Sequence, residues 1–367
     1  MISQPVQRWV ASVFAVICGG AALILIGGAT PPATGPDTAV ILADTPAPTL
    51  AAYHLFLDAK AQEPAPGLIP YTLNTPLFSD YAVKTRYLYL PPGTRAGYRA
   101  EGVLDLPVGA VLIKTFAFPA DLRTPDRDVR RIETRLLIRK NGGWTAQTYV
   151  WNAVETDAVL KVAGAHVAVH VADTNGQGLD IAYVVPNVNQ CKECHGVSGA
   201  LSPIGPKASN LNGDFAYRSG RENQLGRLVR LGLLSGAPAP SVWPRTAVWN
   251  DPAQPFDARA RAYLDANCGH CHSRAGFASN SGLYLNLEEP QASPAWGIGK
   301  RPVAAGRGSG DLAFDIAPGD PEHSILVFRM ASTEPGVMMP QIGRSVVDRE
   351  GLALIRAYVA SLKSASP

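Results

Sequence analysis

Six stretches in the middle of the chain combine β-branched and aromatic residues with an alternation of apolar and polar positions. This period-two pattern is typical of half-buried β-strands. Turn residues separate the stretches, and Asn141-Gly142 predicts a tight hairpin between two long strands. Several short strands at this spacing favour an all-β, sandwich-like domain over 61–186. The predicted strands are 84–90, 110–118, 129–140, 143–153, 165–171 and 181–185.

After residue 186 the apolar residues recur every three or four positions, which indicates helices. Ser345 or Asp348 can cap the start of the last one. Long loops rich in Gly, Pro and Asn separate the helices. The predicted fold is therefore a multidomain α+β chain, with a mainly α, loop-rich part after the β domain. This part divides into a segment 187–250 and a domain 251–367, with helices at 222–234, 256–268 and 348–363.

The N-terminus carries one positive charge, Arg8, followed by an apolar run of 21 residues over 9–29. This pattern predicts a signal peptide over 1–29. An uncleaved membrane anchor is the alternative, because the run is long enough to span a bilayer. Residues 30–60, rich in Pro, Ala and Thr, are expected to be a linker. In either case the rest of the protein is expected to be exported to the periplasm, free or anchored to the inner membrane.

The formal net charge is +3, and acidic and basic residues are mixed along the chain. No block of basic residues stands out, which argues against nucleic acid as a partner.

Four of the five cysteines lie in two copies of Cys-x-x-Cys-His, "CKECH" at 191–195 and "CGHCH" at 268–272. Paired zinc-binding motifs usually stand 15–20 residues apart, whereas Cys194 and Cys268 are 268 − 194 = 74 positions apart. A redox dithiol does not need a histidine after each pair. Covalent haem attachment uses every residue of the motif, because two thiols bind the porphyrin and the histidine binds the iron.

The motifs therefore predict two covalently attached haem c groups. The thioether anchors are Cys191 and Cys194 for the first haem, and Cys268 and Cys271 for the second. The expected iron ligands in the two motifs are His195 and His272.

A sixth ligand for the second haem is expected from a methionine. The chain has four methionines, and Met339 precedes Pro340 in a loop 339 − 272 = 67 residues after His272. A histidine–methionine pair raises the reduction potential of a haem. Met338 is an alternative ligand, and both methionines could instead fill space in the core.

The first haem has no evident sixth ligand, because no Met or His lies between His195 and Cys268. Lys207 is the only lysine in this interval, and it could bind iron if deprotonated, pair with a propionate or be solvated. His166 and His170 share one face of a predicted strand, where they could reach a haem or be ordinary surface residues. His323 and Met330 are further candidates, whereas His54 and His270 are discounted.

Beyond the motifs, the chain resembles a family of bacterial exported diheme c-type cytochromes with an N-terminal β domain. The stretch 256–272 also looks like the first helix of a class I cytochrome c domain running into its haem motif. The resemblance implies two haems and electron transfer, without a settled substrate. In the stretch 300–308, Lys300, Arg301 and Arg307 are hypothesised to pair with a haem propionate, with a solvated loop as the alternative. The stretches that carry the resemblance are 71–94, 143–158, 191–196, 204–212, 267–272, 300–308, 318–330 and 338–345.

The expected function is that of a periplasmic diheme cytochrome that transfers single electrons between periplasmic or membrane redox proteins, with no catalytic residue of its own. Whether it is an enzyme stays open, because the ligand-poor first haem also fits a peroxidase- or oxidase-like enzyme. A third hypothesis is a β domain that binds a polymer or protein while the haems sense redox state.

Overall fold

The computed structural model describes residues 35–303 and 306–363, all of which belong to one compact unit. The fold is mixed α+β, with an extensive β region in the N-terminal two-thirds and helices mainly after it. The predicted export segment at 9–29 lies outside the described residues. Within those residues no helix has the length and apolar character needed to cross a membrane.

The longest strands belong to a central sheet and to one hairpin, and the others have two to four residues. All six predicted strands are confirmed, with ends that shift by a few residues. In chain order the strands are β1 (Phe56–Asp58), β2 (Glu63–Pro64), β3 (Leu68–Pro70), β4 (Val83–Tyr89), β5 (Ala96–Gly97), β6 (Val111–Pro119), β7 (Val129–Lys140), β8 (Gly143–Trp151), β9 (Ala158–Leu160), β10 (Ala165–Ala172), β11 (Gly178–Val185), β12 (Gly196–Val197), β13 (Ala200–Leu201), β14 (Asp214–Tyr217), β15 (Gly220–Asn223) and β16 (Leu234–Ser235).

The central sheet has six antiparallel strands in the order β3-β4-β6-β7-β8-β9. The predicted hairpin is confirmed, because Lys140 pairs with Gly143 across a two-residue turn. Strands β10 and β11 form a separate antiparallel hairpin. Its Val171 and Tyr183 pack against Phe116 and Phe118 of the central sheet, so this hairpin covers part of one sheet face.

The opposite face of the sheet is covered by the chain that precedes it. Ile41, Leu50, Tyr53 and Leu55 are buried there, in one cluster with sheet residues such as Tyr149. The described part of the expected linker is therefore part of the core. The linker was predicted from its Pro/Ala/Thr-rich composition, which gives little weight to the few large apolar side chains that pack onto the sheet.

The helices are short, and the last is the longest. The helix predicted at 348–363 is confirmed over Arg349–Ser361. Asp348 caps its start, since the Asp348 carboxylate accepts from Gly351 N at 2.9 Å. The predicted helix 256–268 stops being α-helical at Leu264 and continues as a π-helical turn over Asp265–Gly269. The α-helices are α1 (Thr38–Leu42), α2 (Val188–His195), α3 (Ala208–Leu211), α4 (Gln224–Arg230), α5 (Phe256–Leu264), α6 (Ile325–Ala331) and α7 (Arg349–Ser361).

One loop before β4 joins the sheet to the C-terminal part. Phe78 N donates to the buried Asn267 side chain at 2.7 Å. The buried Asp80 carboxylate accepts from Ser345 N at 2.6 Å and from Val346 N at 3.0 Å. Hydrogen bonds to the buried side chains of Asn267 and Asp80 therefore hold together the sheet, the second Cys-x-x-Cys-His motif and the segment after the methionine loop.

Candidate functional site

The first motif occupies the last two turns of α2. Asn187 and Gln190 form a reciprocal capping box at the start of this helix, which fixes where it begins. The helix ends at His195, and the chain then turns through β12 and β13. On its return the carbonyl of Ser202 accepts a hydrogen bond from His195 Nδ1 at 3.0 Å.

The second motif lies in and just after the π-helical turn that follows α5. Single π-helical turns inside helices occur frequently at functional sites. Gly269 is required here by close packing, because a Cβ at this position would lie 2.9 Å from the Cα of Asn286.

His272 Nδ1 lies 3.3 Å from both the carbonyl of Leu283 and the hydroxyl of Ser281. Ser281 donates its own proton to the carbonyl of Ala278 at 2.7 Å, so Nδ1 is the donor to Leu283. Both motif histidines thus make the same hydrogen bond to a downstream carbonyl.

This arrangement sets the chemical form of both imidazoles. A carbonyl oxygen can only accept, so Nδ1 carries the proton in each ring and Nε2 is left with its lone pair. Burial lowers the pKa of His195 to about 3 and that of His272 to about 4, so both rings are neutral at pH 7. Neutral imidazole held by a hydrogen bond from its other nitrogen is the form in which histidine binds metals.

The four motif cysteines form no disulfide bond, and the two motifs lie close together. Ligand atoms of Cys194, His270 and Cys271 all lie within 4.8 Å of one another. His270 Nδ1 is buried and has no hydrogen-bond partner among the described residues. Although sequence reasoning discounted His270, the structure therefore places it at the junction of the motifs.

A cavity of about 660 Å³ lies beside the first motif, and Cys191, Cys194 and His195 form part of its wall. This volume falls within the range of cofactor and ligand pockets. His270 and Met338 also line it. The first motif therefore faces a space large enough for a bound group, and a methionine side chain shares that space with His195.

The methionine loop is held by a buried arginine. Arg344 is 6% exposed and donates to the carbonyl of Met339 at 2.8 Å and to that of Ser332 at 2.8 Å. Met338 lines the cavity, whereas the half-buried Met339 is not part of its lining. Met330 packs in the C-terminal core, as a space-filling residue does.

Most of the other candidates for a sixth ligand are engaged elsewhere or exposed. Lys207 Nζ contacts the Asp265 carboxylate at 3.1 Å. Burial opposes the charge on Lys207, but Asp265 and Glu288 outweigh it and raise the lysine pKa, which keeps it protonated. The strand positions of His166 and His170 place both on the exposed face of β10. His323 is exposed beside Asp320, and His54 is exposed as well.

The cations of the stretch 300–308 already have partners within the protein. Lys300 Nζ contacts the Asp315 carboxylate at 2.7 Å. Arg307 contacts Glu334 at 3.1 Å and is largely exposed. The Arg301 guanidinium lies 5.7 Å from the centre of the Phe314 ring. These contacts do not support the hypothesis that this stretch pairs with a propionate.

Sequence reasoning also missed a group of cations on the central sheet. Lys84, Arg86, Lys114 and Arg135 line the cavity beside the first motif. Each is a charged residue inside a strand that is otherwise rich in β-branched, aliphatic and aromatic residues. This pattern was visible in the sequence, but only the register of the strands shows that the four belong to one face.

No family model, curated protein or solved structure compared with the chain matches it. The assignment of a function therefore depends on the residues and their geometry alone.

Proposed function

We propose that the protein is an exported diheme c-type cytochrome that transfers single electrons between periplasmic or membrane redox partners. Cys191 and Cys194 would hold the first haem and Cys268 and Cys271 the second. Each thiol adds across a vinyl group of the porphyrin, so the S–H hydrogen moves to carbon and no oxidant is needed. We also propose that the chain belongs to the diheme cytochrome family that it resembles. Its β region would then be a sandwich-like domain, and its C-terminal part would be cytochrome c-like.

The observation that carries the proposal is the state of the two motif histidines. His195 and His272 each donate Nδ1–H to a downstream carbonyl, which leaves the lone pair on Nε2. A pair of redox-active dithiols would not need the two histidine rings to share this orientation, because their chemistry does not use the histidine. It is the orientation that an iron ligand requires, because the hydrogen bond fixes both the tautomer and the ring plane.

The fit differs between the two sites. At the first motif, the cavity of about 660 Å³ has His195 and Met338 in its wall. We therefore assign Met338 as the candidate sixth ligand of the first haem, and Met339 stays the candidate for the second. At the second motif, His272 and the partly buried thiol of Cys268 support the assignment. Burial raises the pKa of Cys268 to about 12, which keeps it a thiol.

When bound, each haem supplies the one-electron couple of its iron. The chain supplies neutral imidazole at His195 and His272 and, beside the first site, a cavity wall of sheet residues. Cys194 and Cys271, one from each motif, have their sulfur atoms within 4.8 Å of each other. This proximity supports electron exchange between the two sites within one molecule.

A single metal ion is the second candidate, and the cluster of Cys194, His270 and Cys271 favours it. Three nitrogen and sulfur ligands are a set that zinc accepts. This site would take ligands from both motifs, whereas haem attachment uses each motif separately. That difference allows a direct test.

The test is to produce the full chain in a host that exports proteins and attaches haem, and to count haems and metal ions. One variant replaces Cys191 and Cys194 by Ser, and the matched variant replaces Cys268 and Cys271. The haem proposal predicts two covalent haems in the parent, by intact mass and absorption, and one in each variant. A single metal ion that both variants lose, with no haem in the parent, would instead establish the metal site.

A peroxidase- or oxidase-like enzyme is also compatible with the cavity beside His195, because a substrate could enter this cavity. The electron-carrier proposal predicts low-spin spectra at both haems in the oxidised and half-reduced protein and no turnover of peroxide. A high-spin first haem together with peroxide turnover would favour the enzyme.

A further inference from the structure

Three cations stand directly opposite one another across adjacent strands of the central sheet. Arg86 of β4 pairs with Lys114 of β6, and Lys114 pairs with Arg135 of β7. Side chains of directly paired residues lie on the same face and close together, and like charges in such positions destabilise a sheet. We call these three residues the cation row.

Only one carboxylate among the described residues offsets this charge. Glu133, which is fully buried, contacts Arg135 at 2.5 Å and also accepts from Tyr183 at 2.6 Å. Arg86 is 8% exposed and donates to the carbonyl of Lys84 at 3.2 Å. Lys114 Nζ stands 5.0 Å from the centre of the Phe116 ring, with no hydrogen-bond acceptor recorded in the described part of the chain.

Glu133 therefore neutralises one charge of the row, and within the described residues no carboxylate pairs with the charges of Arg86 and Lys114. Burial, followed by repulsion from Arg135 and Arg86, lowers the pKa of Lys114 to about 7. Burial also lowers the pKa of Arg86. Arg86 is buried, whereas Lys114 and Arg135 are partly buried, and a charge held away from water without a counter-charge is unfavourable. An anion placed against the row would offset this cost.

The row shares the cavity with the first motif. Arg86, Lys114 and Arg135 line the same space of about 660 Å³ as Cys191 and His195. Other cations near the two motifs already have partners, as the contacts of Lys207 with Asp265 and of Lys300 with Asp315 show. Within the described residues, Arg86 and Lys114 have no carboxylate partner, and Arg135 lies beside them although it is paired with Glu133.

We propose that Arg86, Lys114 and Arg135 bind the carboxylate groups of the ligand attached at the first motif, which for a haem are its propionates. This inference rests on the proposed function and adds residues that no pattern in the motifs indicates. Arginine and lysine are suited to this task because their hydrogen bonds to carboxylates are charge-assisted. A small free anion from solvent is the competing occupant that the experiment must separate.

The experiment uses the full-length, haem-loaded protein with Lys114→Gln, and Lys114→Met as a second variant of similar length. Lys161→Gln, at an exposed position, is the matched control. Loss of a positive charge beside a propionate disfavours the reduced haem. We expect a roughly tenfold shift in the ratio of reduced to oxidised first haem at fixed potential, equivalent to about 59 mV. The second haem and the control variant should keep their potentials.

Resonance Raman bands of the first haem's propionates give the readout that separates binding from a field effect. They should shift in both Lys114 variants and not in Lys161→Gln. A shift in potential with unchanged propionate bands would overturn the proposal. So would a parent protein whose first-haem potential follows the concentration of added phosphate, because the row would then hold a free anion.

Failure of the inference can be told apart from failure of the proposed function. If intact mass shows no covalent haem, the proposed function itself fails. If two haems are present and both Lys114 variants keep the parent's potentials and Raman bands, the proposed function stands and the cation row does not bind propionate.

Discussion

The two Cys-x-x-Cys-His motifs share their chemistry but differ in what supports them. The first lies on α2, a helix with no buried residue, and faces a cavity that residues of the central sheet also line. The second lies in a π-helical turn that is itself largely buried, with Cys268 packed against the C-terminal core. The first site therefore depends on partners distant in sequence, and the second on close backbone packing around it.

The two adjacent methionines give the largest expected effect. Met338→Ala should convert only the first haem to high spin and lower its potential, because Met338 shares a cavity with His195. Met339→Ala should do the same at the second haem. Electron paramagnetic resonance of the oxidised protein distinguishes the two haems, and each variant is the control for the other. If both substitutions affect the same haem, the assignment of one methionine to each site is wrong.

Loss of Arg344 should weaken both sites together. Its guanidinium donates to several carbonyls, including those of Met339 and Ser332, which Arg344→Ala would leave unsatisfied. Each unsatisfied buried group costs about 1–3 kcal/mol, so we expect the free energy of unfolding to fall by about 3 kcal/mol or more. Urea unfolding measures this. Arg349→Ala, which removes an exposed partner of Asp173, should cost less than about 1 kcal/mol. Equal losses in the two variants would contradict the role given to Arg344.

Gly269→Ala should damage the second site selectively. The added Cβ would meet the Cα of Asn286 at 2.9 Å, and backbone atoms cannot move aside easily. Such overpacking costs about 1–3 kcal/mol, and we expect less second haem per protein in haem counting. Gly142→Ala, where a Cβ meets nothing within 4 Å, is the control and should change neither quantity measurably. An unaltered haem count together with parental stability in Gly269→Ala would show that the turn tolerates the change.

The smallest effect is expected at the start of α2. Asn187→Ala removes the capping side chain and should cost about 1 kcal/mol. Hydrogen exchange should show faster exchange of amides within α2. Asn223→Ala removes the cap of α4 at a similar cost and should leave α2 unchanged. If Asn187→Ala leaves exchange in α2 at the parent rate, the cap does not hold the first motif.

The strands, the last helix and the two motifs could be predicted because the pattern of each lies within a short, continuous stretch of sequence. The burial of Leu50 and Tyr53 could not be predicted, because these residues pack against a sheet whose strands come later in the sequence. The cation row was missed for a related reason. Arg86, Lys114 and Arg135 come together through strand register, which no single strand's pattern contains. The π-helical turn was missed because its residues also suit an α-helix.

The hydrogen bonds of Asp80 have a consequence for how the protein matures. Its carboxylate accepts from Ser345, whose position is 265 residues later in the chain. Contacts between such distant segments form late, because a long loop must close first. The chain must therefore be nearly complete before the loop at Asp80 closes onto the C-terminal part. On the proposed function, the interval before this closure is when haem would be attached to the two motifs, both of which lie earlier in the chain than Ser345.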